Sequence, residues 1–141
     1  MGSMNVTMKW SGGLKFEGIN VWGNKIVADV ARSSGGEESG IKPTEMLLYA
    51  VASCTGVDVV RILEKQRQKL TSLEIEVIAH QQDDYPKPFH TVEVIYRARG
   101  ENLDEKKLAM AIELSESKYC VISQTIARPA EVKTSYEILG V

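Results

Sequence analysis

The sequence predicts an α+β fold built mainly on antiparallel sheet. Runs of period-two alternation gather near the N-terminus and again after residue 70, and one long apolar helix lies between them. No regular strand–helix repeat is present, as a parallel sheet would need. The predicted order is βββ-α-ββ-αα-β. A chain of 141 residues fits one domain, taken as residues 4–141, with Met1-Gly2-Ser3 set aside as a cloning scar before the second methionine.

Met4, Val6, Met8 and Trp10 alternate with Asn5, Thr7 and Lys9, the pattern of a strand with one buried face. After the Ser11-Gly12-Gly13 turn, Leu14 and Phe16 alternate with Lys15 and Glu17. Gly23-Asn24 turns the chain into a third run, Lys25 to Ala31, with Ile26, Ala28 and Val30 on one side. Arg32 to Lys42 is Gly- and Ser-rich and reads as a mobile connector. Its glycines form neither G-x-G-x-x-G nor a GK[ST] phosphate cradle.

Pro43 opens a helix running to about Lys69, proline being suited to a first helical turn. From Leu47 to Leu63 it is apolar on nearly every face, the mark of a helix buried all round. One small domain cannot surround such a helix with a single sheet, so a partner subunit is expected, each protomer enclosing the other's central helix. Two strands follow, Leu73 to Ala79 and Val92 to Ala98, joined by the loop Asp83-Asp84-Tyr85-Pro86-Lys87-Pro88. A second helix is expected from Asn102, with Glu105 as its capping partner and Leu108, Ala111, Ile112 and Ser115 at helical spacing. The pattern breaks at Cys120, a short helix restarts over CVISQTI, and a last strand is expected from Ala130 to Ile138.

Composition excludes several classes of function. Apolar residues make up 43% and charged residues 26% of the chain, a balance that supports a core under a soluble surface. The net charge of −2 and the scattered basic residues argue against nucleic-acid binding, which needs a concentrated basic stripe. Asp58 and Arg61 interrupt the apolar run Val57 to Leu63, so no bilayer span is expected. The N-terminus shows no basic stretch leading into an apolar one, so the expected compartment is the cytoplasm. There a permanent structural disulfide is uncommon. His80 and His90 lack ligand spacing and no metal site is expected; no G-x-S-x-G is present. Glu37, Glu38, Asp83 and Asp84 read as solvated loop charges.

Cys54 lies midway along the apolar helix. By position alone it is a small core residue, since unpaired cysteine is among the most buried types. Asp58 and Arg61 fall four and seven residues on, sharing its face. They read either as an ion pair at a dimer seam or as groups acting on a thiolate, which a guanidinium stabilises. Cys120, at the helix break, is either a core residue beside Tyr119 or a thiol facing a helix N-terminus. One cysteine in an apolar setting and a second at a turn is the layout of an attacking and a resolving thiol.

At this point the chain resembles the OsmC/Ohr family of osmotically inducible and organic hydroperoxide resistance proteins. PTEMLLYAVASCTGVDVVRILEKQR, Pro43 to Arg67, is similar to the family's central helix with its P-x-E-L-L-x8-C-T pattern. DYPKPFHTVEVIYRARG, Asp84 to Gly100, is similar to its Pro-containing hairpin, and SESKYCVISQTI, Ser115 to Ile126, to its second-cysteine motif. The resemblance implies an intertwined homodimer, its sheets wrapped around two central helices, with the active site at the subunit interface. It implies a peroxidatic Cys54 and a resolving Cys120, no metal, flavin or haem, and reduction by an external dithiol, protein-bound lipoyl groups included.

The hydroperoxide-resistance branch carries an arginine after an early Gly-Gly and a glutamate after the central helix's proline. Here those positions hold Leu14, with Lys15 next, and Thr44, with Glu45 next. Lys15, Arg32, Arg61 and Arg128 are candidate cations, Glu45 and Asp58 supporting carboxylates. Val121 stands where the second-cysteine motif often has proline. These departures place the chain in the general OsmC-like branch. The implied activity is reduction of organic hydroperoxides; the alternative is a redox-sensing or small-ligand-binding protein with little turnover.

Overall fold

The computed structural model describes residues 2–128 and 130–139. Among these are a three-stranded sheet, a two-stranded sheet and three α-helices. The chain forms two compact units. One comprises the residues through Ala50 with Ile78–Thr91; the other comprises Val51–Val77 with Val92 onward.

In the first unit β1 (Lys9–Trp10), β2 (Phe16–Ile19) and β3 (Lys25–Ala28) pair antiparallel in sequence order, with Lys9 opposite Glu17 and Phe16 opposite Ala28. Gly12 and Gly13 take φ of 103° and 55° in the first turn, a backbone glycine adopts without steric cost. Trp10 Nε1–H donates to Gly13 O across it at 2.9 Å. The first strand is shorter than its alternation predicts. Met4 and Val6 are exposed outside it, because period-two patterning makes a strand only where a neighbour supplies hydrogen bonds and cover.

Residues 32–42 are not the mobile connector expected. Asp29, only 2% exposed, sits at their centre. Its carboxylate accepts from Val30 N at 2.8 Å, Glu37 N at 3.2 Å, Ser39 N at 3.1 Å and Ser39 Oγ at 2.5 Å. A short 3₁₀ turn, Arg32–Ser34, and the Ile41–Ala28 bridge complete the loop. Gly36 and Gly40 pack their Cα atoms against the carbonyls of Val30 and Val27, leaving no room for a Cβ. The Ser39 hydroxyl, then the Val30 amide, hold the Asp29 carboxyl down at about 2 against the opposing effect of burial.

The central helix α1 spans Pro43–Lys65. Glu45 Oε1 accepts from Lys42 N at 2.9 Å, capping its start. Its end comes one turn earlier than predicted. Arg67 enters the left-handed region at φ 57°, Arg67 N donates to Glu64 O and Gln68 N to Leu63 O, the bond pair of a Schellman motif. Val51, Thr55, Val59 and Leu63 form its buried stripe. All-round burial is not met within one chain, since Leu47, Val57 and Val60 stay exposed. The helix is also long and apolar enough, by length and composition alone, to cross a bilayer. The core helix of a soluble protein passes the same test, because Asp58 and Arg61 are diluted over 23 residues.

In the second unit Val59, Leu63 and Ala111 form the core, with Ile62, Leu70, Leu73, Tyr96, Leu108 and Ile112 around them. β4 (Lys69–Gln81) and β5 (Phe89–Glu101) are longer than expected and form the second sheet. Lys69 of the first strand pairs with Glu101 of the second at 3.5 Å, and Arg97 with Glu74 and Glu76, an antiparallel alignment. Helix α2, Glu105–Leu114, is capped by Asp104, whose side chain accepts from Lys106 N and Lys107 N. The predicted start at Asn102 fails because Asn102 sits in the left-handed region at φ 50°. A π-helical turn, Ser115–Tyr119, leads through Cys120 to α3, Val121–Ala127. The expected strand Ala130–Ile138 is absent among the described residues. Val132, Tyr136 and Ile138 alternate as predicted but lie exposed, with no strand beside them to complete a ladder.

Leu63→Ala should destabilise the protein by about 2–5 kcal/mol in denaturant unfolding, the usual range for a large-to-small change in a core. Since the folded Asp29 carboxyl is held below its ordinary 3.8, its contribution is fully present above that pH and lost as pH falls toward about 2. The protection factors of the Glu37 and Ser39 amides in hydrogen exchange should therefore hold steady down to about pH 4 and fall below it. Asp29→Asn should remove that pH dependence.

Candidate functional site

One turn of α1 and the break between α2 and α3 supply the site. Cys54 and Asp58 stand four residues apart on α1, hence on one face. Cys120 occupies the corner where α2, loosened by its π turn, gives way to α3. Cys54 Sγ, Cys120 Sγ and an Asp58 carboxylate oxygen lie within 4.8 Å of one another. Both cysteines are free thiols, Cys120 fully buried and Cys54 half-buried.

The backbone explains the corner. Cys120 leaves helical geometry at φ −75°, ψ 104° and becomes the N-cap of α3. Its N–H donates to Ser115 O at 2.7 Å, and its sulfur accepts from Ser123 N at 3.4 Å. The Ile122 and Val121 amides hydrogen-bond toward Cys54, so the first turn of α3 addresses both sulfurs. Burial pushes the Cys54 thiol up, the Ile122 amide pulls it down, and the Cys120 side chain adds to the rise.

Behind the sulfurs runs a line of oxygens. Ser115 Oγ donates to Asp58 Oδ2 at 2.9 Å and meets Thr55 Oγ1 at 2.8 Å. Thr55 Oγ1 meets Tyr96 OH at 2.7 Å, and Tyr96 OH donates to Glu116 Oε1 at 2.6 Å. Thr55 and Ser115 are fully buried, so these contacts are how their hydroxyls are satisfied. Burial first, then the bond to Glu116, pushes the Tyr96 phenol well above its ordinary range.

The sequence singled out Cys54, Asp58 and Cys120, and the fold brings them together. Of the candidate cations, Arg128 shares a groove with Cys120. Lys15 lies 3.8 Å from Glu37, and Glu45 caps α1; both belong to the first unit. Arg32 pairs with Glu38 at 3.0 Å. Arg61 is exposed, and Asp58 is bonded to Ser115 rather than to Arg61. Arg128 lines a groove of about 390 Å³ with Lys118, Tyr119, Cys120, Val121 and Gln124. Thr55, Ser115, Tyr96 and Glu116 escaped sequence reading as a set. Their signal was polar side chains at buried-face positions, Thr55 within the Val51–Leu63 stripe and Ser115 one turn after Ala111.

The two sulfurs and the carboxylate are close enough to share a thiophilic cation. The same closeness of two thiols is what a disulfide requires, sulfur–sulfur bonding needing about 2.05 Å and modest side-chain rotation.

The model of the OsmC-like protein family matches residues 35–135, more than half of the chain. Protein YhfA of Escherichia coli (strain K12) is 29% identical over 137 residues, covering 97% of this chain and 99% of the relative. A hypothetical protein from Aquifex aeolicus VF5 superposes with a TM-score of 0.79 at 32% identity, over 90% of this chain and 89% of that one. An organic hydroperoxide resistance protein OsmC of Legionella pneumophila shares the fold at 17% identity, with a TM-score of 0.62 over 89% and 91%.

Because burial raises the Cys54 thiol, its alkylation by iodoacetamide in the reduced, folded protein should be slow at neutral pH. It should climb at a pH above that of the same cysteine in urea. Peptide mapping should find Cys120 protected until the protein unfolds. Fastest labelling of Cys54 near neutrality would contradict the dominance of burial.

Proposed function

The chain belongs to the OsmC-like family, and from that premise we propose that it is a thiol peroxidase that reduces organic hydroperoxides through Cys54 and Cys120. The observation that carries this is the approach of the two sulfurs and the Asp58 carboxylate to within 4.8 Å. The thiol proton of Cys54 passes to the carboxylate and the sulfur attacks the distal oxygen of the hydroperoxide. The O–O bond breaks, the leaving alkoxide takes up the proton, and alcohol and Cys54 sulfenic acid result. Cys120 then displaces water from the sulfenic acid to form the disulfide, and an external dithiol, with lipoyl groups as one candidate, returns both thiols by exchange. The amides of Val121 and Ile122, which already point at Cys54, are placed to receive negative charge as the thiol ionises. Exposed Val57 and Val121 favour alkyl over hydrogen peroxide.

The working form is a homodimer in the cytoplasm. Leu47, Val57 and Val60 stand exposed along α1, and Val132, Tyr136 and Ile138 along the C-terminal segment, apolar surface that a second copy would cover.

A second function, a redox sensor with little turnover, is favoured by one observation: burial is the largest influence on the Cys54 thiol and pushes it up. Such a sensor would oxidise once and stop, whereas the peroxidase turns over steadily with a dithiol.

A stoichiometric dose of cumene hydroperoxide should yield an intramolecular Cys54–Cys120 disulfide, read as a loss of two hydrogens by intact mass. Cys54→Ser should abolish peroxide consumption, and Cys120→Ser should leave a trappable sulfenic acid after one turnover. Wild-type consumption by Cys54→Ser would refute the assignment. Sedimentation should give a dimer, and a monomer would refute the pairing.

A further inference from the structure

The oxygen line from Asp58 to Glu116 contains four short contacts: 2.9 Å to Ser115, 2.8 Å to Thr55, 2.7 Å to Tyr96 and 2.6 Å to Glu116. Each has the length of an O–H···O hydrogen bond, which places one proton between its two oxygens. The Ser115, Thr55 and Tyr96 hydroxyls bring one proton each, and an ionised carboxylate brings none. Three protons cannot fill four bonds.

If both ends were ionised, Ser115 would commit its proton to Asp58 and Tyr96 its proton to Glu116. Thr55 would then have one proton for two neighbours, leaving one pair of oxygens facing each other with lone pairs alone. Thr55 and Ser115 are fully buried, so that conflict would sit in a dry interior where unsatisfied polar contacts are most costly. Ionising Tyr96, whose phenol is pushed up, would only take another proton from the line.

We propose that the reduced protein stores one carboxyl proton in this chain, shared between Asp58 and Glu116. With the proton on Glu116, every bond points toward Asp58, which is then a bare carboxylate beside Cys54 and Cys120. With the proton on Asp58, every bond points toward Glu116, and Asp58 becomes a donor beside the sulfurs. The two states interconvert by shifting four protons along fixed oxygens. The titratable groups involved are Cys54, Cys120, Asp58, Tyr96 and Glu116; the Gln124 amide bonds the Glu116 backbone carbonyl instead. Resting on the peroxidase assignment, the chain gives the site both an acceptor for the Cys54 thiol proton and a donor for the departing alkoxide. Ser115, Thr55, Tyr96 and Glu116 are positioning residues in that scheme. The proton store itself does not depend on turnover.

Infrared difference spectroscopy of the reduced protein at neutral pH, without peroxide, tests it. The expected result is a protonated-carboxyl C=O band that shifts in D₂O. Thr55→Val splits the chain into two halves, each with protons enough, and should abolish the band; Thr55→Ser should keep it. Glu116→Gln and Asp58→Asn each supply the fourth proton from an amide, and each should abolish the band while circular dichroism stays native. No band in the wild type, or a band that survives Glu116→Gln and Asp58→Asn taken singly, would overturn the proposal. A band without peroxide turnover would sink the peroxidase assignment and leave the proton store standing; turnover and disulfide formation without a band would do the reverse.

Discussion

Everything near the two sulfurs depends on one constraint, the satisfaction of a threonine hydroxyl placed inside an apolar stripe. Val51, Thr55, Val59 and Leu63 face inward along α1, and only Thr55 brings a group that must find hydrogen-bond partners away from water. It finds them in Ser115 and Tyr96, one beside the corner that holds Cys120 and the other on β5. The bond to Ser115 fixes the end of α2, and through it the place where the chain turns toward α3. Cys120 is carried to Cys54 by that polar contact as much as by the apolar packing of Val59, Leu63 and Ala111.

Much of this was legible in the sequence. The long helix opened by Pro43, the break at Cys120 and the restart over CVISQTI follow from proline placement and failing periodicity, which are local signals. The proximity of Cys54 and Asp58 follows from helical spacing. What did not follow is the hydroxyl line, because its members come from α1, β5 and the π turn and no spacing rule links them. The partners of two candidate cations were illegible for a related reason. Lys15 and Arg32 were picked as charges in sequence, but their partners, Glu37 and Glu38, lie in a loop whose conformation the sequence did not reveal.

The strands show where alternation misleads. The pattern at Ala130–Ile138 is as regular as that of β4, yet among the described residues β4 is paired with a neighbouring strand and Ala130–Ile138 is not. Period-two patterning records which residues tolerate burial on one face; it does not supply the neighbour that makes a strand. The C-terminal apolar residues therefore keep the signature of a strand while lying exposed.

Residues 32–42 illustrate the opposite mistake, and with a practical side. A stretch this rich in glycine and serine is where a protein engineer would graft an epitope or open the chain for permutation. Gly36 and Gly40, however, are small because neighbouring carbonyls already fill the space a side chain would need, and the backbone is gathered around Asp29. Insertions there would displace the groups that knit the edge of β3 to the start of α1, so the least structured-looking segment is among the poorest places to add sequence.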